Sequence, residues 1–315
     1  MQVATNSGTN LSHTAQGHYG IEVVQDGFVV DGAPKQLGLS TSLADLDGWS
    51  SRFPGLVRGV GPAAEAWGTS LVRLVRSDPE VLLVLSSTRL APSHLSAQTA
   101  VAMVRSDSSV PPFNVSVVDT QTSDVAAALL MLVAGEGMRA GAPLPLIAQT
   151  LESLAGRLSF VWAAPSLRAL SVSGHRAALA HLPTTAEGSE HKPLLGLVHG
   201  EIRVMGRITA KAEPFEELVQ YAAKVAGRSS KLWIGVGHGG SPQNAIRLEE
   251  ELRKRLPVEF VYRRVLAPSS YLFMGSGALA VAVAPMDSLP WPPAVPPDFS
   301  ETRRPVRRAR SLMPQ

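Results

Sequence analysis

Short β-branched runs alternate with longer amphipathic stretches through the first half of this 315-residue chain, and few architectures accept that alternation. GIEVV, EVLLVLSS and NVSVVDT read as strands, while AAEAWGTSLVRLV and SHLSAQTAVAMVR place apolar residues at helical spacing. Strands separated by helices pair in parallel through crossovers, so residues 1–160 are expected to form a parallel-sheet α/β domain. The stretch 124–139 continues as a helix apolar on most sides, the pattern of a helix packed between a sheet and something else.

After about Phe160 the character changes. KPLLGLVHGEIRVMGRI holds two strands flanking His199-Gly200, a hairpin turn, and hairpins favour antiparallel pairing. A helix (EPFEELVQYAAKVAG), a strand (KLWIGVGH), a second helix (PQNAIRLEEELRKRL) and a strand pair (VEFVYRRV, ALAVAVA) complete an α+β domain over 161–285. Two domains with a ligand cleft between them are therefore expected. Residues 286–315 are rich in proline and arginine, and are expected to stay disordered because they carry too little apolar surface to fold alone.

Charge argues against nucleic acid as a partner. The formal net charge is +3, but five arginines at 303, 304, 307, 308 and 310 face only three acids beyond residue 285, so the rest is close to neutral. With no cysteine, disulfides, zinc-thiolate sites and thiol nucleophiles drop out, and a reducing cytoplasm is compatible. The start of the chain lacks the basic-then-apolar pattern of a secretory signal. The longest apolar runs, at 125–134 and 273–284, fall short of the roughly 20 residues that a membrane span needs, so no transmembrane segment is expected. The eight histidines are scattered without metal-ligand spacing, and no metal is expected.

Several segments, read in order over nearly all of residues 1–285, resemble the DegV family of bacterial fatty-acid-binding proteins. Most specific is the hairpin region, with Lys192, Pro193, Gly200, Glu201, Ile202, Gly206 and Arg207 similar to the family's K-P-I-L…D-G-E-I…G-K/R-x-R stretch. Asn6-Ser7-Gly8-Thr9-Asn10-Leu11 resembles D-S-T-A-D-L, and Ser86-Ser87 with Leu90 and Ser93 resembles the S-S-x-L-S-G-T-Y turn. Val118-Asp119-Thr120, His238-Gly239 and Gly275-Ser276-Gly277-Ala278-Leu279 resemble V-I-D-S, H-A-G and G-P-G-A-L. The resemblance implies a carrier that is not an enzyme and needs no cofactor. It would hold a long-chain fatty acid or other apolar molecule between the domains, and in that family the acid can be presented to a separate fatty-acid kinase.

It also implies where the pattern departs. The family's T-S-Q-P turn, whose threonine contacts the carboxylate, falls near Arg58-Gly59-Val60-Gly61-Pro62, and its A-H-T-G-P-G histidine and threonine fall on Phe273 and Met274. Three readings stay open. Arg58 replaces the lost threonine as a charged partner; or Phe273 and Met274 mark a pocket for a neutral, wholly apolar ligand; or the pocket is degenerate and the role structural or regulatory.

The expected ligand-binding residues are thus Asn6, Ser7, Arg58, Ser86, Ser87, Ser93, Arg176, His238, Phe273 and Met274. For Ser86 and Ser87 the plain alternative is turn capping through their own hydroxyls, and for Ser93 it is an N-cap. Arg176 follows Gly174 about where the family places G-G-R-I, and a solvated arginine is its alternative. Gly235, Gly237 and Gly240 also satisfy G-x-G-x-x-G, with Glu259 further on, the pattern of a dinucleotide enzyme. Glu259, however, lies near the start of its strand, where a ribose ligand belongs at the end.

Overall fold

The computed structural model describes residues 1–36, 42–91, 93–163, 165–172, 191–209 and 214–301. The first half contains β1 (Gln2–Asn6), α1 (His13–Tyr19), β2 (Glu22–Val24), β3 (Gly27–Val30), β4 (Ala33–Gln36), α2 (Leu43–Arg52) and β5 (Val57–Val60). It continues through α3 (Ala64–Ser77), β6 (Glu80–Leu85), α4 (Ser93–Ser106), β7 (Asn114–Asp119), α5 (Asp124–Arg139) and α6 (Leu144–Ala155). The second half runs β8 (Ser159–Ala163), α7 (Arg168–Val172), β9 (His191–Val198), β10 (Glu201–Thr209), α8 (Pro214–Ala226) and β11 (Leu232–His238). It closes with α9 (Pro242–Arg255), β12 (Val258–Val265), α10 (Pro268–Met274) and β13 (Leu279–Pro285).

The N-terminal sheet is fully parallel in the order β2-β1-β6-β7. Period-2 alternation divides its side chains: Ala4, Val81, Leu83 and Leu85 pack with Trp67 and Leu71 of α3 and Ala97 and Val101 of α4. Val3, Leu82, Val84 and Val118 face the other way, into the central core. The C-terminal sheet is mixed, in the order β10-β9-β8-β13-β11-β12, with only β11 and β12 parallel. β11 lies between β12 and β13, so the expected strand pair consists of two strands that do not touch. One face packs on α8 and α9 through Ile234, Val236, Leu218 and Leu248; the other presents Phe160, Trp162 and Trp233 to the centre.

Helix α5 occupies that centre, buried from Asp124 to Gly137 and packed on β11, β13 and α6. Its lack of a polar face follows, since neighbours surround it on every side. The glycines of β11 are part of the same packing: a Cβ on Gly235 would lie 3.0 Å from Val125, and one on Gly237 2.8 Å from Leu266. Close packing, by helix α5 on Gly235 and by the residue after β12 on Gly237, therefore accounts for both of these glycines of the dinucleotide-like pattern.

Between β9 and β10 the turn runs through His199 (φ 49°) and Gly200 (φ 81°), both left-handed, as a two-residue hairpin turn requires. Gly200 meets the first half of the chain: its carbonyl accepts a hydrogen bond from Ser87 Oγ at 3.1 Å, and a Cβ would overlap that oxygen. Gly200→Ala is expected to destabilise the protein by about 1–3 kcal/mol, read as a lower urea midpoint at an unchanged slope.

Sequence reasoning missed β1 and the small antiparallel sheet β4-β3-β5, each strand of which has only four residues. The expected disorder of the tail is corrected over 286–301. Trp291 packs against Gly137, and Phe299 lies 5.4 Å from the His18 ring. Arg263 N donates to Ser300 Oγ at 3.0 Å and Glu301 N donates to Arg263 O at 3.0 Å, which covers the exposed edge of β12. Two aromatic anchors and a sheet edge supply what the segment lacks by itself. Residues 302–315 lie outside the described residues.

Candidate functional site

In the order β2-β1-β6-β7 the chain builds outward in one direction after β1 and in the other after β6, so the topological switch point falls between those two strands. Open α/β sheets bind ligands in the crevice beyond the carboxyl ends of the strands at such a point. Here Ser86, the first residue after β6, lines that crevice, and Asn6, the last residue of β1, stands behind it. Asn6 Nδ2 donates to Ser86 Oγ and to Asp26 Oδ1, both at 2.8 Å, and Asn6 Oδ1 accepts from Ser86 N at 2.9 Å. Ser7 Oγ accepts from Asp26 N at 2.9 Å. Thus one buried amide holds a hydroxyl and a carboxylate side by side.

α10, from the second half of the chain, forms the facing wall. Its Ser269, Ser270, Leu272 and Phe273 close over the crevice, with Val60 and Leu90 at the side and Ser123 at the mouth of α5. The remaining cavity is about 30 Å³, room for two or so water molecules. One wall is polar, with Asp26, Ser86 and Ser123; the other is apolar, with Leu272 and Phe273. Phe273 is buried and its ring packs edge-on against Trp162 at 5.7 Å.

Burial pushes the Asp26 carboxyl up to about 6, against the hydrogen bonds from Asn6, Ser7, Gly8 N and Ser269 that favour its anion. No ion pair to Asp26 occurs among the described residues. Ser123 Oγ is buried without a hydrogen-bond partner.

Asp124, next in the chain, ties the two halves together. Its Oδ1 accepts from Asn10 Nδ2 at 3.0 Å and from Val125 N at 2.8 Å, and its Oδ2 accepts from Ala267 N at 2.7 Å. Tyr262 OH donates to Asn10 O and accepts from Ser12 N, each at 2.8 Å. The segment 6–11 singled out in the sequence therefore lines the crevice through Gly8 and clamps the C-terminal sheet through Asn10.

Of the residues expected at the site, Asn6, Ser7, Ser86 and Phe273 come together. Ser87 lies beside them but is occupied by the hairpin and by Arg89 N. Ser93 is fully buried under Gly61, its hydroxyl without a partner and outside the cavity wall. Met274 is buried in the central core, one residue past the lining. Two expectations are corrected. Arg58 is exposed and absent from the cavity wall, although the next two residues, Gly59 and Val60, line it. It therefore does not stand in for the lost threonine. His238 is not at the cavity: it ends β11 buried against the tail, with Nε2 3.2 Å from Glu301 Oε2. Arg176 lies outside the described residues.

Asp26, Ser123, Ser269 and Ser270 were not anticipated. A weak signal existed for Asp26, an acid immediately before a strand-forming GFVV, but turns carry such acids routinely.

Known proteins share this arrangement of sheets. The model of the DegV family, described as uncharacterised proteins, matches residues 61–286. No curated protein matches the chain. Among solved structures, a fatty-acid-binding DegV family protein from Thermus thermophilus is 21% identical with a TM-score of 0.80, covering 90% of this chain and 99% of its own. A stearic acid-binding protein from Eubacterium ventriosum is 19% identical with a TM-score of 0.80, covering 90% and 98%. DegV, a fatty acid binding protein from Bacillus subtilis, is 18% identical with a TM-score of 0.76, again covering 90% and 98%. At these identities the structural likeness concerns the fold.

Proposed function

The chain belongs to the DegV family, and from that premise we propose that it is a lipid carrier. It holds an aliphatic chain in the crevice between the two sheets, with the polar end of the lipid at Ser86 and Asp26, which Asn6 holds in place. The observation that carries this reading is the two-sided wall at the switch point, with polar groups gathered by Asn6 on one side and Leu272 and Phe273 on the other. A polar cluster opening onto an apolar slot suits an amphiphile. Three structural neighbours described as binding fatty acids support the same ligand class.

At about 30 Å³ the cavity takes no alkyl chain as it stands. Loading therefore requires α10 to shift. That helix has seven residues and is pinned by Tyr271 OH donating to Asp47 Oδ2 at 2.7 Å. The finer picture has the protein retain the lipid in the cytoplasm without acting on it, leaving head-group chemistry to a separate fatty-acid kinase; it rests on the family resemblance. No described helix is long and apolar enough to cross a membrane.

A second reading is favoured by one observation, the burial of Phe273 against Trp162. In it the protein's own side chain fills the slot, and the molecule acts through its surface. Native mass spectrometry after mild purification separates the two. An aliphatic adduct that organic extraction removes is the expected result. Bare protein that also takes up no long-chain lipid on incubation would leave the second reading.

A further inference from the structure

We propose that Asp26 sets the head-group preference of this site, so that it takes a lipid whose head donates a hydrogen bond, a primary alcohol or a primary amine, ahead of a carboxylate. The inference rests on the lipid-carrier reading and adds to it the class of head group.

Asp26 is 5% exposed and lines the cavity beside Ser86 and Ser123. Its neighbours supply hydrogen bonds but no positive charge: Asn6 and Ser7 at the end of β1, Gly8 after them, and Ser269 on α10 are all neutral. Of the two arginines that the sequence offered, Arg58 points to solvent and Arg176 lies outside the described residues, so no cation faces Asp26 among those described. A lipid carboxylate seated at Ser86 would thus place a second anion beside a buried first one. Two carboxylates at that separation cannot both ionise without a large penalty, and burying an unpaired charge is costly in itself.

A donor head meets the opposite conditions. The hydroxyl of an alcohol can donate to the Asp26 carboxylate and accept from Ser86 Oγ, whose own hydrogen has no acceptor among the described residues although its oxygen accepts from Asn6. An ammonium would donate to Asp26 and to the free lone pairs of Ser123 Oγ, which is 3% exposed and unpartnered. A charge-assisted bond of either kind is roughly twice as strong as a neutral one. With its carboxyl held at about 6, Asp26 is mostly the anion at neutral pH, the form such a donor needs.

The test is a competition among stearate, stearyl alcohol and stearylamine for the full-length protein at neutral pH, followed by native mass spectrometry, with Asp26→Asn and Asp26→Ser beside the wild type. The expected result is a preference of about tenfold or more for the alcohol or the amine over stearate, corresponding to at least one strong hydrogen bond. That preference should shrink by a similar factor in whichever variant retains its fold by circular dichroism. The leading competitor tells whether charge or donation dominates, and either supports the proposal. Stearate bound as tightly as the alcohol and the amine, or a ratio unmoved in a folded variant, overturns the head-group proposal and leaves the carrier reading standing. Binding of none of the three removes the carrier reading, and the proposal with it.

Discussion

Phe273→Ala is expected to lower stability by about 3–5 kcal/mol, the range for truncating a buried aromatic, and at the same time to open the slot. The ring is buried, touches Trp162 and forms the apolar wall of the cavity. Removing it joins its own volume to the existing 30 Å³ void beside Leu90 and Leu272. Neighbours in a close-packed interior relax only in part, so much of that space persists. Urea denaturation measures the loss. Repeated with a long-chain alcohol present, it also measures the gain, because a ligand at 100 times its Kd restores about 2.7 kcal/mol. Recovery larger in the variant than in the wild type is the outcome expected of a carrier whose slot Phe273 gates. Loss without recovery would mark the ring as ordinary core and favour the filled-pocket reading.

The stability of the wild type relative to Asp26→Asn is expected to swing by about 3 kcal/mol across the acid range, since each tenfold change in proton affinity is worth about 1.4 kcal/mol. The Asp26 carboxyl titrates near 6 in the folded protein against 3.8 ordinarily. Because the folded state holds this proton more tightly than the unfolded chain does, the contribution is fully present below about pH 4 and is lost as the pH rises through 6. The asparagine variant has no such proton. Its exchange of a carboxylate oxygen for an amide nitrogen is a constant offset, so the pH dependence of the difference isolates the buried charge. Urea titrations of both proteins at about pH 4 and pH 7.5 provide the comparison. A difference that stays flat would mean that the carboxyl is solvated or paired, and the case for a donor head group would lose its basis.

Both expectations depend on α10, and α10 shows why the site was only partly legible. Its residues PSSYLFM carry no strong period and sit between a strand and a glycine turn. Phe273 was singled out because a family motif has its histidine at that position, not by any local pattern, and it stands in the cavity wall. His238, singled out in the same way, instead meets Glu301, sixty-three residues away in sequence. Motif position carries over well where the backbone path is shared. It fails where an added segment, here the tail, competes for the same side chain.

Local physics made much of the architecture readable. Short β-branched runs marked β2, β6 and β7, helical spacing marked α3 and α4, and an all-apolar run marked α5 as enclosed, because each of these signals lies within one element. Which strands adjoin, and therefore which side chains meet, is not a local property. Asp26 precedes β3, Ser86 follows β6, Ser123 precedes α5 and Ser269 opens α10, and no spacing along the chain links them. They converge because the parallel sheet reverses its order between β1 and β6 and the central core draws α10 over the gap. Burial then converts an ordinary turn aspartate into a desolvated carboxylate, a change set by the surrounding dielectric and neighbours that only the folded arrangement supplies.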